Sequence, residues 1–220
     1  LSVSKIREEF QKKMLSRDKT GCAKLVLESL ESGALSVVEL YEGVLAPSLS
    51  SISGNNEEQK IRIWDEHMRS GTVRMAIELS YPYIVKKDTV HSGSPRAMIF
   101  CIEEEYHELG ARMTTDFLTL LGFDSYFIGA NTPAEEAVDA VIELKPALVC
   151  ISVSNFYNLV KVQEVIDALK ELVFGGKSDK LTVVVGGYAV ANTEGAKEHV
   201  KPDYFANSYS DLAKIKEAIL

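Results

Sequence analysis

The chain has 220 residues, enough for one large domain or two small ones. Its 24 Lys and Arg stand against 32 Asp and Glu, a formal charge of −8 with no basic cluster, which argues against direct binding of nucleic acid. No apolar run approaches the roughly 18 residues that a membrane span needs. The opening Leu1-Ser2-Val3-Ser4-Lys5 does not read as a secretory signal, and the missing initiator Met points to a trimmed chain. Cys22, Cys101 and Cys150 are odd in number and set in apolar runs. They read as buried thiols of a cytoplasmic protein, not as disulfide partners or zinc ligands.

Residues 1–86 carry helical signals only. Ile6, Phe10 and Met14 recur at i, i+4 and i+8, an apolar stripe along a first helix. Asp18 is placed to cap a second, which runs through Leu25 to Leu30 and stops at Gly33. Ser36 and Glu39 have the capping-box spacing, and Pro47 is expected to bend or end the helix they start. A loop at Ser53-Gly54-Asn55-Asn56 precedes a long helix from about Glu57 to Ser80, ending near Pro82. Four helices with short connections make an antiparallel four-helix bundle.

Lys86 to Pro95 is a polar linker, and from residue 96 to 220 strands alternate with helices. Strands are expected at 97–102, 124–129, 147–153, 181–186 and 203–207. Helices follow them at 107–121, 134–144, 158–174, near 193–199 and near 210–219. Such alternation makes βαβ units and a parallel sheet. Ala147–Ile151 and Leu181–Val185 are nearly apolar throughout and should be covered on both faces. Five units fit a flavodoxin-like (Rossmann-type) sheet of order 2-1-3-4-5, so the fold class is α/β with a helical cap in front.

The ligand of an open sheet lies beyond the carboxyl ends of its strands. After the first strand comes Glu105-Tyr106-His107-Glu108-Leu109-Gly110, after the third Ser152-Val153-Ser154-Asn155, and after the fourth Gly186-Gly187. No GxGxxG follows the first strand and no GxxxxGK[ST] exists, which disfavours a dinucleotide and a nucleoside triphosphate. No Asp closes the third strand, so a phospho-receiver fits poorly. What remains is a slot with glycine walls, two hydroxyls and one imidazole. An imidazole there offers one nitrogen to a metal while a carboxylate two residues earlier holds the other. Glu103-Glu104-Glu105 also reads as acids at a helix start, with His107 as a surface histidine.

These three elements, in this order, resemble the cobalamin-binding domain family, known by D-x-H-x-x-G, S-x-[LT] and GG. The 41 residues between Gly110 and Ser152 match the family's spacing. Glu105 stands for the usual Asp, Ser154 for Leu or Thr, and the gap from Ser154 to Gly186 is a little long. The resemblance implies base-off, His-on binding, with cobalamin's benzimidazole tail drawn into a slot beside the sheet. His107 would be the lower ligand of cobalt and the metal residue of the site. Glu105 would hold its other nitrogen, Ser152 and Ser154 would border the tail, and Gly110, Gly186 and Gly187 would leave room for it.

The helical half resembles the cap over the corrin ring in methionine synthase, corrinoid methyl carriers and MerR-linked B12 photosensors. Trp64, His67, Met68 and Gly71 share one helix face, and Glu66-His67 resembles the photosensors' Glu-His pair. In those sensors the capping Trp lies about three turns earlier, where this chain has Asn56. Trp64 reads equally as bundle core and His67 as a solvated histidine. By resemblance the chain is a B12-dependent, light-responsive or other, sensor or signalling protein that binds adenosylcobalamin or methylcobalamin. The alternative is a corrinoid methyl carrier of a multi-component methyltransferase; there the family reads D-x-H-D-I-G-K-N, and Ala111 and Arg112 depart from it. A mutase small subunit fits less well because such subunits lack the cap. No catalytic residue is assigned. The partner is a protein, either a signalling output or a methyltransferase, or a second copy of the chain, with neither nucleic acid nor membrane involved.

Overall fold

A computed structural model describes residues 2–53, 62–174 and 181–220. The chain divides into two compact units, Leu1–Lys87 and Asp88–Leu220. The first is helical. Helices α1 (Val3–Leu15) and α2 (Lys19–Glu31) are joined by a turn in which the Asp18 carboxylate accepts from Gly21 N–H, the expected cap. Ile6, Phe10 and Met14 are buried as their spacing requires. At Ser36 the capping box is complete in both directions and starts α3 (Val37–Leu40).

Pro47 does not end that helix. The chain continues through a π turn at Tyr41–Leu45 into α4 (Ala46–Ser53). The N–H of Ala46 reaches back five residues to the Tyr41 carbonyl. This wider turn, one residue before Pro47, accommodates a ring that cannot donate and that crowds the carbonyl four residues back. Pro82 is likewise inside α5 (Ile63–Val85), which runs past the expected end. Only its last turn follows Pro82, and Ile84 is 1 % exposed, so packing offsets the one lost hydrogen bond. Ser53, expected to open a loop, is the last residue of α4; the rest of that loop, 54–56, and the start of the long helix at Glu57 lie outside the described residues.

In the second unit, the described residues form one five-stranded sheet, parallel throughout, in the order β2-β1-β3-β4-β5. The strands are β1 (Arg96–Ile102), β2 (Asp124–Thr132), β3 (Leu148–Ser152), β4 (Thr182–Gly186) and β5 (Tyr204–Phe205). Met98, Phe100, Ile102, Val149, Ile151, Val183 and Val185 turn to one face, under α7 (Ala134–Leu144) and α8 (Leu159–Phe174). Their neighbours Ala97, Ile99, Cys101, Leu148, Cys150 and Val184 are buried on the other, where α6 (Leu109–Leu120) packs against β1 and β2, and α10 (Tyr209–Ile219) against α6. Every strand residue of β1 after Arg96 is buried, which is the both-sided cover expected of apolar parallel strands.

Two helix positions differ from expectation. α6 begins at Leu109, not 107, and leaves Glu103–Glu108 as a strand-end loop. Instead of a helix near 193–199, α9 spans Tyr188–Asn192 directly after the glycine pair, and a single 3-10 turn follows at Ala196–Glu198. Gly187 (φ +107°) turns the chain at once and Gly195 (φ +74°) breaks it again, so glycine conformation overrides the apolar periodicity. All three cysteines are free and buried, as expected.

Candidate functional site

The site is built on the loop between β1 and α6. Glu105 N–H bonds back to the Ile102 carbonyl at 2.9 Å, and Glu104 sits in the left-handed region at φ +64°. This turn folds the Glu105 side chain inward, where it is 1 % exposed. Its Oε1 lies 2.5 Å from His107 Nδ1 and also accepts the His107 backbone N–H at 3.1 Å. Its Oε2 accepts from the backbone N–H groups of Ser154 (2.9 Å) and Asn155 (2.8 Å), just past β3. Asn158 Nδ2 adds a longer contact at 3.4 Å. These bonds draw residues 105–108 away from helical geometry, which is why α6 starts late.

Burial alone would raise the Glu105 carboxyl. The donors from His107, Asn155 and Ser154 outweigh it and lower its pKa to about 2. An ionised carboxylate only accepts, so His107 Nδ1 carries the proton toward it, and the lone pair of a neutral ring then sits on Nε2. The His107 side chain is 65 % exposed, with its partner fully enclosed. Beneath it, Cys101 Sγ points to the His107 carbonyl at 3.7 Å, and burial together with the Glu105 and Glu108 charges pushes that thiol up to about 12.

The other expected residues of the sheet unit fall in three groups. Ser152 ends β3, level with Cys101 on β1 and Gly186 on β4, and Ser154 takes part through its backbone. Gly110 opens α6, and a Cβ there would meet nothing within 4 Å. Gly186 and Gly187 have a different first reason to be glycine. A Cβ on Gly186 would stand 2.3 Å from the Ala206 carbonyl oxygen, and one on Gly187 2.4 Å from that of Val153. Close backbone approach around β4 demands both.

Trp64, Glu66 and His67 lie in the first turns of α5, in the helical unit. Trp64 is 49 % exposed and Met68 37 %, so this face is not bundle core. Arg17 stacks over the Trp64 ring at 5.0 Å and pairs with Asp65, which also pairs with Arg69. A Cβ on Gly71 would meet nothing within 4 Å, so no close approach explains that glycine among the described residues. Ala111 is fully buried, and Arg112 lies over the Phe127 ring at 5.8 Å.

A family model described as a B12 binding domain matches residues 95–206, and a second with the same description matches residues 6–80. The chain belongs to the B12-binding domain family. It is a cobalamin-binding protein, and its B12-binding sheet domain contains the whole Glu105–His107 arrangement, with Trp64, Glu66 and His67 inside the helical match. Monomethylamine corrinoid protein 1 of Methanosarcina mazei is 26 % identical over 214 residues, 91 % of this chain and 97 % of that one. The HTH-type transcriptional repressor CarA of Myxococcus xanthus is 26 % identical over 184 residues, 81 % of this chain and 57 % of the repressor. The solved monomethylamine corrinoid protein of Methanosarcina barkeri shares the fold, with a TM-score of 0.80 at 20 % identity, covering 98 % of this chain and 99 % of that one.

Two residues that hold the Glu105–His107 loop, Asn131 and Asn158, are not among those the sequence points to, and Asn155 enters there only as the residue after the serine element. Asn155 follows Ser154 directly and Asn158 lies one short turn further on, so adjacency is a usable signal for the first and a weaker one for the second. Asn131 is the last residue but one of β2 and carries no such local signal.

Proposed function

We propose that this chain is a corrinoid methyl carrier that holds cobalamin base-off, with His107 Nε2 as the lower ligand of cobalt. The observation that carries the ligand assignment is the enclosed, ionised Glu105 at 2.5 Å from Nδ1. It sets the tautomer, orients the ring and raises the basicity of the opposite nitrogen. The donor set fits the cofactor. Among the described residues no cluster of three or more His, Cys, Asp or Glu gathers for a bare ion. A corrinoid would bring its own metal ligands, so the chain would need to supply a single donor, and His107 offers one. Ser152 and Gly110 would border the tail, and Gly186 and Gly187 would do so in addition to their packing role. When bound, cobalamin supplies a cobalt that accepts and hands on a methyl group.

The sequence reading put a sensor first and a carrier second; the order now reverses. Corrinoid proteins match this chain almost from end to end, whereas it spans little more than half of CarA. The partner is then a methyltransferase in the cytoplasm, and a methylated amine is the methyl donor to try first. The exposed Trp64 face, with Glu66 and His67, supports the sensor as second reading, in which α5 would border the upper ligand.

Reconstitution separates these. The wild-type chain loaded with hydroxocobalamin should show a His-on spectrum, and His107→Ala should lose it; an unchanged spectrum removes His107 as ligand. Loaded with methylcobalamin, the chain should be demethylated by a corrinoid methyltransferase with no change in oligomer size on illumination. A light-driven change of size, without methyl transfer, would restore the sensor reading.

A further inference from the structure

Strand β2 does not run evenly beside β1. Ile99 is level with Phe127, Phe100 with Gly129 and Ile102 with Thr132, so β2 carries extra residues twice within its last half. Bulges are rare between parallel strands and serve to re-aim a side chain near a site. The two residues that bend this strand are Gly129, at φ +144°, and Asn131, at φ +52°. Asparagine tolerates the left-handed region better than other side-chain-bearing residues. The second bulge turns Asn131 onto the loop after β1. Its Oδ1 accepts the Glu104 N–H at 2.8 Å, and its own N–H donates to the Glu105 carbonyl at 2.9 Å. From the opposite side, Lys161 pairs with the Glu104 carboxylate at 2.8 Å, and Asn158 Nδ2 approaches the Glu104 carbonyl at 3.5 Å.

We propose that Asn131 is a positioning residue for His107: lifted by the β2 bulge, it grips Glu104 and Glu105 from the edge of the sheet and fixes the geometry in which the Glu105 carboxylate meets Nδ1. This rests on the reading of His107 as the cobalt ligand. The grip is reciprocal. The side chain stabilises the left-handed turn at Glu104, and the backbone fixes the carbonyl of the residue whose carboxylate orients the imidazole. Loss of the Oδ1 acceptor frees Glu104 N–H and lets the loop sample geometries in which His107 is misaimed.

The test uses the full chain as wild type, Asn131→Gly, Asn131→Asp and His107→Ala, titrated with hydroxocobalamin. Asn131→Gly keeps the left-handed backbone conformation accessible and removes the Oδ1 acceptor with the rest of the side chain. It should bind about tenfold more weakly, with a smaller His-on fraction, as expected for one lost hydrogen bond that orders a ligand. Asn131→Asp retains the acceptor and should return both readouts to within about twofold of wild type. Amide exchange of the cofactor-free chain gives a second readout: Glu104 N–H should lose protection in Asn131→Gly and keep it in Asn131→Asp, with the melting temperature reporting whether each variant is folded. Wild-type affinity and spectrum in Asn131→Gly, or unchanged Glu104 exchange, overturns the proposal. If His107→Ala keeps the wild-type spectrum, the ligand assignment itself fails; if His107→Ala fails while Asn131→Gly behaves normally, only the role of Asn131 is lost.

Discussion

A carboxylate that is 1 % exposed stays ionised only when donors surround it, and Glu105 has them on both oxygens. Its folded pKa, about 2, lies below the ordinary value of 4.5. A depressed acid contributes stability that is fully present above its unfolded pKa and is lost as pH falls toward the folded one. Unfolding followed in urea between pH 5 and 2 should therefore show an acid limb worth roughly 3 kcal/mol from this group. Glu105→Gln should flatten that limb. It should also cost about 1–3 kcal/mol at neutral pH, because an amide must turn its NH2 toward either the His107 or the Ser154 and Asn155 donors. An acid limb unchanged in Glu105→Gln would show that other carboxylates set it. The Glu105–His107 pair was legible in the sequence because the two are separated by a single residue. The donors that make the carboxylate work lie 49 and 50 residues further on, and no local spacing points to a backbone N–H.

At the scale of elements, the breaks in regularity were less legible than the regular runs. Proline removes one donor, which on sequence grounds makes Pro47 a bend or an end and Pro82 an end; both stand inside helices, Pro47 just after a π turn and Pro82 within the last turn of α5. The π turn before Pro47 also brings Gly43 against α1, where a Cβ would come within 2.4 Å of Val3 Cγ1. Gly43→Ala should destabilise the helical unit by about 1–3 kcal/mol, and Val3→Ala in the same chain should recover part of it. Denaturant midpoints of the two single variants and the double variant decide this, and strict additivity would mean the contact carries no energy. Gly187→Ala meets both a left-handed φ and a backbone carbonyl that cannot move aside, so it should cost about 3 kcal/mol, measured the same way. A loss below that of Gly43→Ala would show that the β4 edge relaxes. Strand positions were legible to within a few residues because apolar runs report cover on both faces. The bulges of β2 were not, since a bulge depends on which residue of the neighbouring strand it faces.

For the whole molecule, the chain divides between Lys87 and Asp88 into two compact units. No helix among the described residues is long and apolar enough to cross a membrane. The thiols report on the interiors independently: burial pushes Cys22 up to about 11 and Cys150 to about 12. Cys22 belongs to the helical unit and Cys101 and Cys150 to the sheet, so alkylation at pH 8 should be slow at all three in the native chain. Under rising denaturant, mass analysis of the labelled positions should show whether Cys22 opens at the same midpoint as the other two. Fast labelling of any one without denaturant would contradict its burial. The alternation of strands and helices, the parallel character of the sheet, and the histidine with its acid partner were legible in the sequence itself, because hydropathy period and short spacing are local properties; the strand order fitted a known fold and was shown by the pairing. Only the tertiary structure decided where α6 begins, why Gly186 and Gly187 must lack side chains, and how Asn131, Ser154 and Asn155 converge on one loop, because each depends on backbone groups brought together from distant parts of the chain.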